Sequence, residues 1–391
     1  MQEVFIDVTR LLGRFMKQRL ATGVDRVSVA YVAHYQFRAR AVMRFWGKNW
    51  VASAPTSKKI FNWLSQPTYD FLNWRVHLWA FCTFYYHLFH RTPKGSILFN
   101  TGHSGLENSS YPKQLKKLGL KPVFMVHDLI PITHPEYCRP AEQQKHTHRM
   151  NNILNIAYGI ITNSKLTLDE LHRYSISINS TIPQCLDALI APAKLPTPSI
   201  VRPYSEPYFV VLGTIEPRKN HWMLLHLWRK LTHELGKESP KLIIIGQRGW
   251  ECESVFDMLE RCESIHSKVI ELPICSDKEL STLLFHSQAL LFPSFIEGYG
   301  MPLVEALSLG VPVLASDLPV FKEIAGNIPE YIDPLDGKGW LKHIISYIKP
   351  ESAERVAQIQ RLSTFVTPTW EDHFNKVDQW LESLEVSDKH N

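Results

Sequence analysis

The stretch Pro293–Ser316 reads PSFIEGYGMPLVEALSLGVPVLAS, and its punctuation decides the fold. An apolar run ends at Phe292, a loop holding Gly298 and Gly300 follows, and Pro302 opens a helix. Proline suits the first helical position because the N–H it lacks has no intrahelical acceptor there. The helix runs to Gly310, and Val313–Ala315 leaves it as a strand. A strand, loop, helix and strand in this order belong to a parallel sheet, with the loop at the carboxyl edge where such sheets bind ligands. The N–H groups and positive dipole end at Met301–Val304 are expected to form an anion site. Glu297 lies just before it and Glu305 one turn into the helix, its side chain tilted back towards the helix start. A phosphate there would have a carboxylate on each side. Carboxylates accept from paired sugar hydroxyls, so the layout suits a diphosphate with a sugar at each end.

Working outward, the same alternation covers most of the chain. Strands are expected at Val4–Asp7, Ser96–Asn100, Val123–Val126 and Ile160–Thr162. A second set falls at Tyr208–Leu212, Leu242–Ile245, Val269–Leu272, Ala289–Phe292 and Val313–Ala315. Amphipathic segments such as Trp222–Leu235 and Asp277–Phe285 lie between them. Near-continuous Ile, Val and Leu strands mean parallel sheets covered on both faces. Ala191–Pro207 holds five prolines and no periodicity, and reads as the join between two α/β domains. The expected domains are 1–195 and 208–365, followed by 366–391 as a helix packing back on the first domain. Helical patterns at Gly337–Ile348, Glu351–Thr364 and Trp370–Leu384 suggest that C-terminal helices cross back to that domain.

Composition narrows the class. With 391 residues, 45% hydrophobic and 21% charged, the chain can build two cores, and disordered, collagen-like and coiled-coil classes are excluded. Six cysteines without a C-x-x-C pair form neither a disulfide framework nor a zinc site, so a reducing cytosol is the default. No signal peptide is read at MQEVFIDVTRLLG, and Val76–Phe89 is shorter than the roughly 20 apolar residues a membrane span needs. No G-x-G-x-x-G follows Asp7, which counts against a nicotinamide enzyme.

The E-x7-E pair Glu297/Glu305 resembles the signature of retaining glycosyltransferases of family four. So do VLGTIEPRKN (Val211–Asn220), VHDLIPITHPEY (Val126–Tyr137), ITNSKLTLDEL (Ile161–Leu171), IIIGQRGW (Ile243–Trp250) and TGVDRV (Thr22–Val27), which fall in the family's order. Ala30–Lys94 matches none of its pattern. The resemblance implies an α/β GT-B fold, two Rossmann-like domains facing across a cleft. It implies that Glu297 holds the donor sugar's hydroxyls and Glu305 the ribose hydroxyls. Arg218 and Lys219 would bind the diphosphate and offset charge on the departing nucleotide, which is what fixed cations do well. Gly213, Thr214, Gly246, Gly298, Tyr299, Gly300, Met301 and Pro302 complete the donor site, with Gly23 approaching the phosphates from the first domain. Thr214 departs from the pattern, since many relatives carry an Arg there. His127, after a buried strand, would lie near the reacting sugar, donating or accepting a hydrogen bond. His103 and Asp128 are assigned to the acceptor side, with Glu107 beside them, and each also admits a purely structural reading. Retention of anomeric configuration follows from the resemblance, with the leaving phosphate taking the acceptor's proton.

GTIEPRKN followed by His221 is similar to bacterial mannosyl- and rhamnosyltransferases of surface-polysaccharide assembly, and that resemblance implies transfer of a hexose, mannose from GDP-mannose as first choice, to a glycan or polyprenyl-diphosphate-linked acceptor. The alternatives are a nucleotide-sugar epimerase or phosphorylase on the same fold, or a non-catalytic glycan-binding protein. No D-x-D triplet occurs, so neither a metal nor a cofactor is expected, and no nucleic-acid partner is. Lys and Arg exceed Asp and Glu by 43 to 38. The excess is concentrated at Arg10, Arg14, Lys17, Arg19, Arg26, Arg38, Arg40, Arg44 and Lys48, with Asp25 the one acid among them. Two readings stand for this run: a basic face on anionic lipid at the inner membrane surface, or solvated arginines beside a core of aromatics. The expected location is accordingly the cytoplasm, with peripheral membrane contact on the first of those readings.

Overall fold

Short runs of β-branched and large apolar residues, buried on both sides, pair into two sheets in a computed structural model that describes residues 3–17, 22–65, 74–89 and 93–388. The first sheet contains β1 (Val4–Asp7), β2 (Ala39–Phe45), β3 (Lys48–Val51), β4 (Ile97–Asn100), β5 (Lys121–Val126), β6 (Gly159–Thr162) and β7 (Cys185–Asp187). Its order is β3-β2-β1-β4-β5-β6-β7, parallel except for the β2–β3 hairpin. The second contains β8 (Tyr208–Leu212), β9 (Lys241–Ile245), β10 (Val269–Leu272), β11 (Leu290–Phe292), β12 (Val313–Ser316) and β13 (Glu330–Ile332). It is parallel throughout, in the order β10-β9-β8-β11-β12-β13. In both sheets the winding reverses beside the first strand, between β1 and β4 and between β8 and β11. A doubly wound sheet opens a crevice at such a point, beyond its carboxyl ends.

The first compact unit comprises Met1–Ile132, Ala141–Ile190 and Trp370–Asn391, and the second comprises Thr133–Pro140 and Ala191–Thr369. The expected boundary therefore moves. The proline-rich span from Ala191 joins the second unit, as does Thr133–Pro140, which the sequence placed in the first. Within the second unit, Tyr137 stacks on Phe295 at 5.6 Å and 2°, and Arg139 lies over Trp250 at 4.7 Å. The crossing of several C-terminal helices is corrected to one. Gly337–Ile348 buries Trp340, Ile344 and Tyr347 in the second unit's own core. Gln358, on Ala353–Leu362, donates to the Val313 carbonyl at 2.7 Å and to that of Ile328 at 3.1 Å. Only Trp370–Asp388 belongs to the first unit. There Phe374 stacks on His34 at 3.9 Å, and Tyr35 and Arg38 donate to Asp378 at 2.8 and 2.9 Å.

β2 reads ARAVMRF, and its cations concealed it as a strand. Arg40 is buried, donating to the Ala52 carbonyl at 2.9 Å and lying over the Tyr86 ring at 4.9 Å. Of the two readings of Arg10–Lys48, the continuous basic face is the one these contacts break up. Arg10 and Arg14 sit 2.9 and 2.7 Å from the fully buried Asp25, Arg38 is engaged by Asp378, and Arg40 lies 3.5 Å from Glu3. Arg19 lies outside the described residues. No described helix is long and apolar enough to cross a membrane.

Candidate functional site

At the β8/β11 reversal two loops meet. The first, Gly213–Asn220, leaves β8 and ends in a 3-10 turn, Pro217–Lys219, ahead of the helix His221–Leu235. The second, Pro293–Gly300, leaves β11 and enters the helix Met301–Ser308. They are joined by the Phe295 N–H donating to the Arg218 carbonyl at 2.8 Å. Arg218, Lys219 and Glu297 come together there. Arg218 Nη1 donates to Glu297 Oε2 at 2.6 Å, Lys219 Nζ to Oε1 at 2.5 Å, and Ser294 Oγ to Oε1 at 2.8 Å. Glu216 takes the other arm of Arg218 at 2.6 Å, and Lys219 lies 4.8 Å over the Phe292 ring. Cations at a helix start oppose its dipole and call for an anionic partner. The structure supplies that partner from within the unit, as Glu297 and Glu216. Neither Ser294 nor Glu216 was singled out from sequence, although both lie within three residues of a residue that was.

Backbone geometry explains the glycines. Gly213 and Gly246 both have positive φ, and a Cβ on Gly246 would stand 2.0 Å from the Gly213 carbonyl oxygen. Two strand-end loops therefore cross at backbone contact, with Thr214 half-buried beside them and Ile215 N–H donating to the Gln247 carbonyl at 2.9 Å. Gly300 has φ 117° and faces Phe321, which a Cβ would meet at 2.7 Å. The helix begins at Met301, so Pro302 is its second residue and not its first. The anion site at Met301–Val304 is also narrower than expected. Pro302 has no N–H, and those of Leu303 and Val304 already donate to the Gly300 carbonyl at 2.9 and 3.3 Å. Met301 is left as the one of these four residues whose N–H has no backbone acceptor. Tyr299 and Glu305 are buried, and Gly298 lies in the loop between Glu297 and Tyr299.

In the first unit three histidines are neighbours, His103 after β4, His127 after β5 and His146 on the helix Glu142–Ile156: His103 lies 5.6 Å from His127 and 5.9 Å from His146. Each places Nε2 on a backbone carbonyl, that of Met125 at 2.7 Å, Thr101 at 2.7 Å and Asp128 at 3.1 Å respectively. A carbonyl only accepts, so Nε2 carries the proton and Nδ1 is left as an acceptor. For His127 this engages the Nε2–H and leaves Nδ1 as the neutral ring's acceptor. Asp128 Oδ1 accepts the Ile130 N–H at 3.1 Å, a turn-forming contact. Gly23 is not a loop glycine but the first residue of the helix Gly23–Tyr35, behind a Thr22/Asp25 capping box.

Residues 198–360 match the family model described as "Glycosyl transferases group 1". The chain carries a group 1 glycosyltransferase domain. It is 29% identical over 242 residues to the serotype-specific mannosyltransferase WbdA of Escherichia coli, covering 58% of this chain and 29% of that protein. It is 28% identical over 254 residues to the O-antigen chain mannosyltransferase B of Escherichia coli, covering 63% of this chain and 66% of the relative. The chain thus spans between about a third and two thirds of these relatives' lengths. Its fold is similar to that of Anabaena Alr3699/HepE, solved in complex with UDP and glucose, with a TM-score of 0.68 at 14% identity over 99% of this chain and all of that one. The fold class is GT-B, with two Rossmann-like units.

The electrostatics of the group 1 domain centre on Glu297. Burial opposes its ionisation, but Arg218, Lys219 and the hydrogen bonds from Lys219 and Ser294 outweigh that and hold it down at about 2. Burial lowers Lys219 and raises Glu216. Beside them His221 is buried with neither ring nitrogen hydrogen-bonded, and burial takes it down to about 3. The four charged groups balance, two positive and two negative, in a site largely closed to water.

Proposed function

We propose that the chain is a retaining hexosyltransferase that moves a sugar, mannose from GDP-mannose as first choice, onto a glycan in bacterial surface-polysaccharide synthesis. The carrying observation is the clamp of Arg218 and Lys219 on Glu297 at the carboxyl edge of the group 1 domain. A donor diphosphate placed beside Met301 N–H would share the two cations with Glu297. As the sugar–phosphate bond breaks, negative charge grows on the leaving phosphate, and cations already fixed in a low-dielectric site stabilise it without reorganising. Glu297, oriented by three donors, keeps lone pairs for the sugar's hydroxyls, and Glu305 serves the ribose. His127, neutral with Nδ1 as acceptor, would orient a hydroxyl near the reacting carbon. The acceptor's proton passes to the leaving phosphate, on the same face. The names of the curated relatives support mannose. No metal or cofactor is required in this scheme.

The acceptor we propose is a polyprenyl-diphosphate-linked glycan reached at the inner face of the membrane. The surface that supports this is the helix Trp74–Phe89, where Leu78, Phe81 and Tyr85 are exposed, rather than the Arg10–Lys48 run. The test is turnover of GDP-mannose and UDP-glucose with and without lipid-linked glycan. Nucleoside diphosphate release that depends on the acceptor, survives EDTA and gives an α-linked product is expected. Release without acceptor, or donor binding unaffected by Arg218→Ala, would overturn the reading.

A further inference from the structure

The first unit has its own crevice at the reversal of its sheet, between β1 and β4, and a cavity of about 690 Å³ lies there. Its lining comes from the carboxyl ends of three strands: Thr9 after β1, Arg44 and Trp46 at the end of β2, and Ser104, Glu107 and Asn108 after β4. The volume falls in the range of small-molecule sites, about 300–1,000 Å³.

Trp46 is the residue that needs explaining. With Gly47 it forms the two-residue turn of the β2–β3 hairpin, and both have positive φ, 51° and 70°. That turn favours Asn-Gly or Asp-Gly, and a bulky side chain at positive φ is strained. Trp46 nonetheless occupies it and remains 76% exposed. Its ring is braced edge-on by Phe45 at 5.2 Å and Phe84 at 5.9 Å. A residue held against both its backbone preference and its hydrophobicity points to a function. Beside it, the Arg44 guanidinium makes no hydrogen bond or ion pair among the described residues, and its nearest ring, Tyr111, is 5.8 Å away. Gly105, at φ 80°, makes room for that group, since a Cβ there would stand 2.1 Å from Arg44 Nη1. Glu107 is half-exposed and only loosely paired, 3.8 Å from Arg149.

We infer that this cavity is a pyranose-binding subsite for the acceptor glycan, with Trp46 as the stacking face and Arg44 and Glu107 as partners for ring hydroxyls; the assignment to the acceptor rests on the glycosyl-transfer reading above. One face of a pyranose presents polarised C–H groups to the negative face of an indole. Its hydroxyl edge matches a planar donor fork and a carboxylate that line the same cavity. A concave site with an acid in its wall fits a sugar better than a lipid surface, which would repel Glu107.

The experiment uses the full chain, α-linked mannotriose as ligand, saturation-transfer NMR and titration calorimetry. Trp46→Asn installs the Asn-Gly pair this turn prefers, so its melting temperature should equal or exceed that of the wild type. Mannotriose affinity should fall at least about 10-fold in Trp46→Asn and in Gly105→Ala, the latter by displacing Arg44, while GDP affinity is unchanged. Wild-type affinity retained in both variants overturns the inference, as does an absence of mannotriose binding by the wild type at saturating GDP. Loss of flotation on anionic phospholipid vesicles by Trp46→Asn, with sugar binding intact, overturns it too and makes Trp46 a membrane anchor. GDP binding is scored separately, so failure of the donor reading is distinguishable from failure of this one.

Discussion

Replacing Glu297 by Gln removes one charge from a buried set of four and leaves the side chain's shape nearly unchanged. Two cations then face Glu216 alone. The interval between the ordinary glutamate value of 4.5 and about 2 corresponds to the net gain of the ionised carboxylate in the folded state, its partners' pull less the cost of burial. At 1.36 kcal/mol for each factor of ten, this is ~3 kcal/mol, near the low end of about 3–5 kcal/mol for removing one member of a buried pair. At about 2–4 °C per kcal/mol for a domain of this size, calorimetry should show the second unit melting roughly 6–12 °C lower in Glu297→Gln. The pH dependence gives an independent check. Because the folded value is depressed, the stabilisation is complete above 4.5 and is lost as pH falls from there towards about 2. The gap between wild type and variant should therefore be the same at about pH 7 and about pH 5.5, and should narrow below about pH 4.5. Equal melting temperatures at neutral pH, or a gap that widens on acidification, would refute the reasoning.

Four further outcomes are expected. Lys219→Ala should weaken GDP binding at least ~10-fold by calorimetry, because a charge-assisted contact to the diphosphate is lost. Gly300→Ala should cost ~2–4 kcal/mol in urea denaturation, combining a positive φ with a Cβ set 2.7 Å from the Phe321 ring. Burial lowers His103, His127 and His146 below the ordinary value of 6.5. Unfolding therefore takes up protons below about 6.5, and the first unit's urea midpoint should fall between about pH 7.5 and about pH 5.5. Removing residues 370–391 exposes the rings around Tyr31, Tyr35 and Phe99, so the first unit should lose its cooperative melting transition by circular dichroism while the second keeps its own.

Much of this was legible in the chain because the second unit obeys local rules throughout. β8 falls where the pattern places it, since parallel strands buried on both faces read as unbroken apolar runs, and the helix Asp277–Phe285 falls where its period does. Glu297, Arg218 and Lys219 were legible as charges flanking strand ends. What could not be read was their mutual pairing, because it depends on two loops about 80 residues apart being drawn together at the β8/β11 reversal. The acceptors of Leu303 and Val304 were hidden for a different reason. A glycine at φ 117° turns its carbonyl into the helix start, and nothing in MPLVE announces that.

The first unit defeated sequence reading between Ala39 and Val51 because charge masked burial. Arg40 and Arg44 fall four residues apart, on one face of β2 by the period of two, yet the segment reads as a basic run. That face is not solvent throughout: Arg40 is enclosed, and Arg44 ends over Gly105 at a cavity wall. The second sheet continues from β9 to β10 through helices, whereas the first turns back from β2 to β3 in two residues. A hairpin in place of a crossover puts a two-residue turn at the carboxyl end of β2, and that is where Trp46 stands. The two units thus share a strand order and a crevice but fill it with different chemistry. One holds two cations balanced by two carboxylates, and the other an exposed indole beside a guanidinium with no hydrogen-bond partner among the described residues.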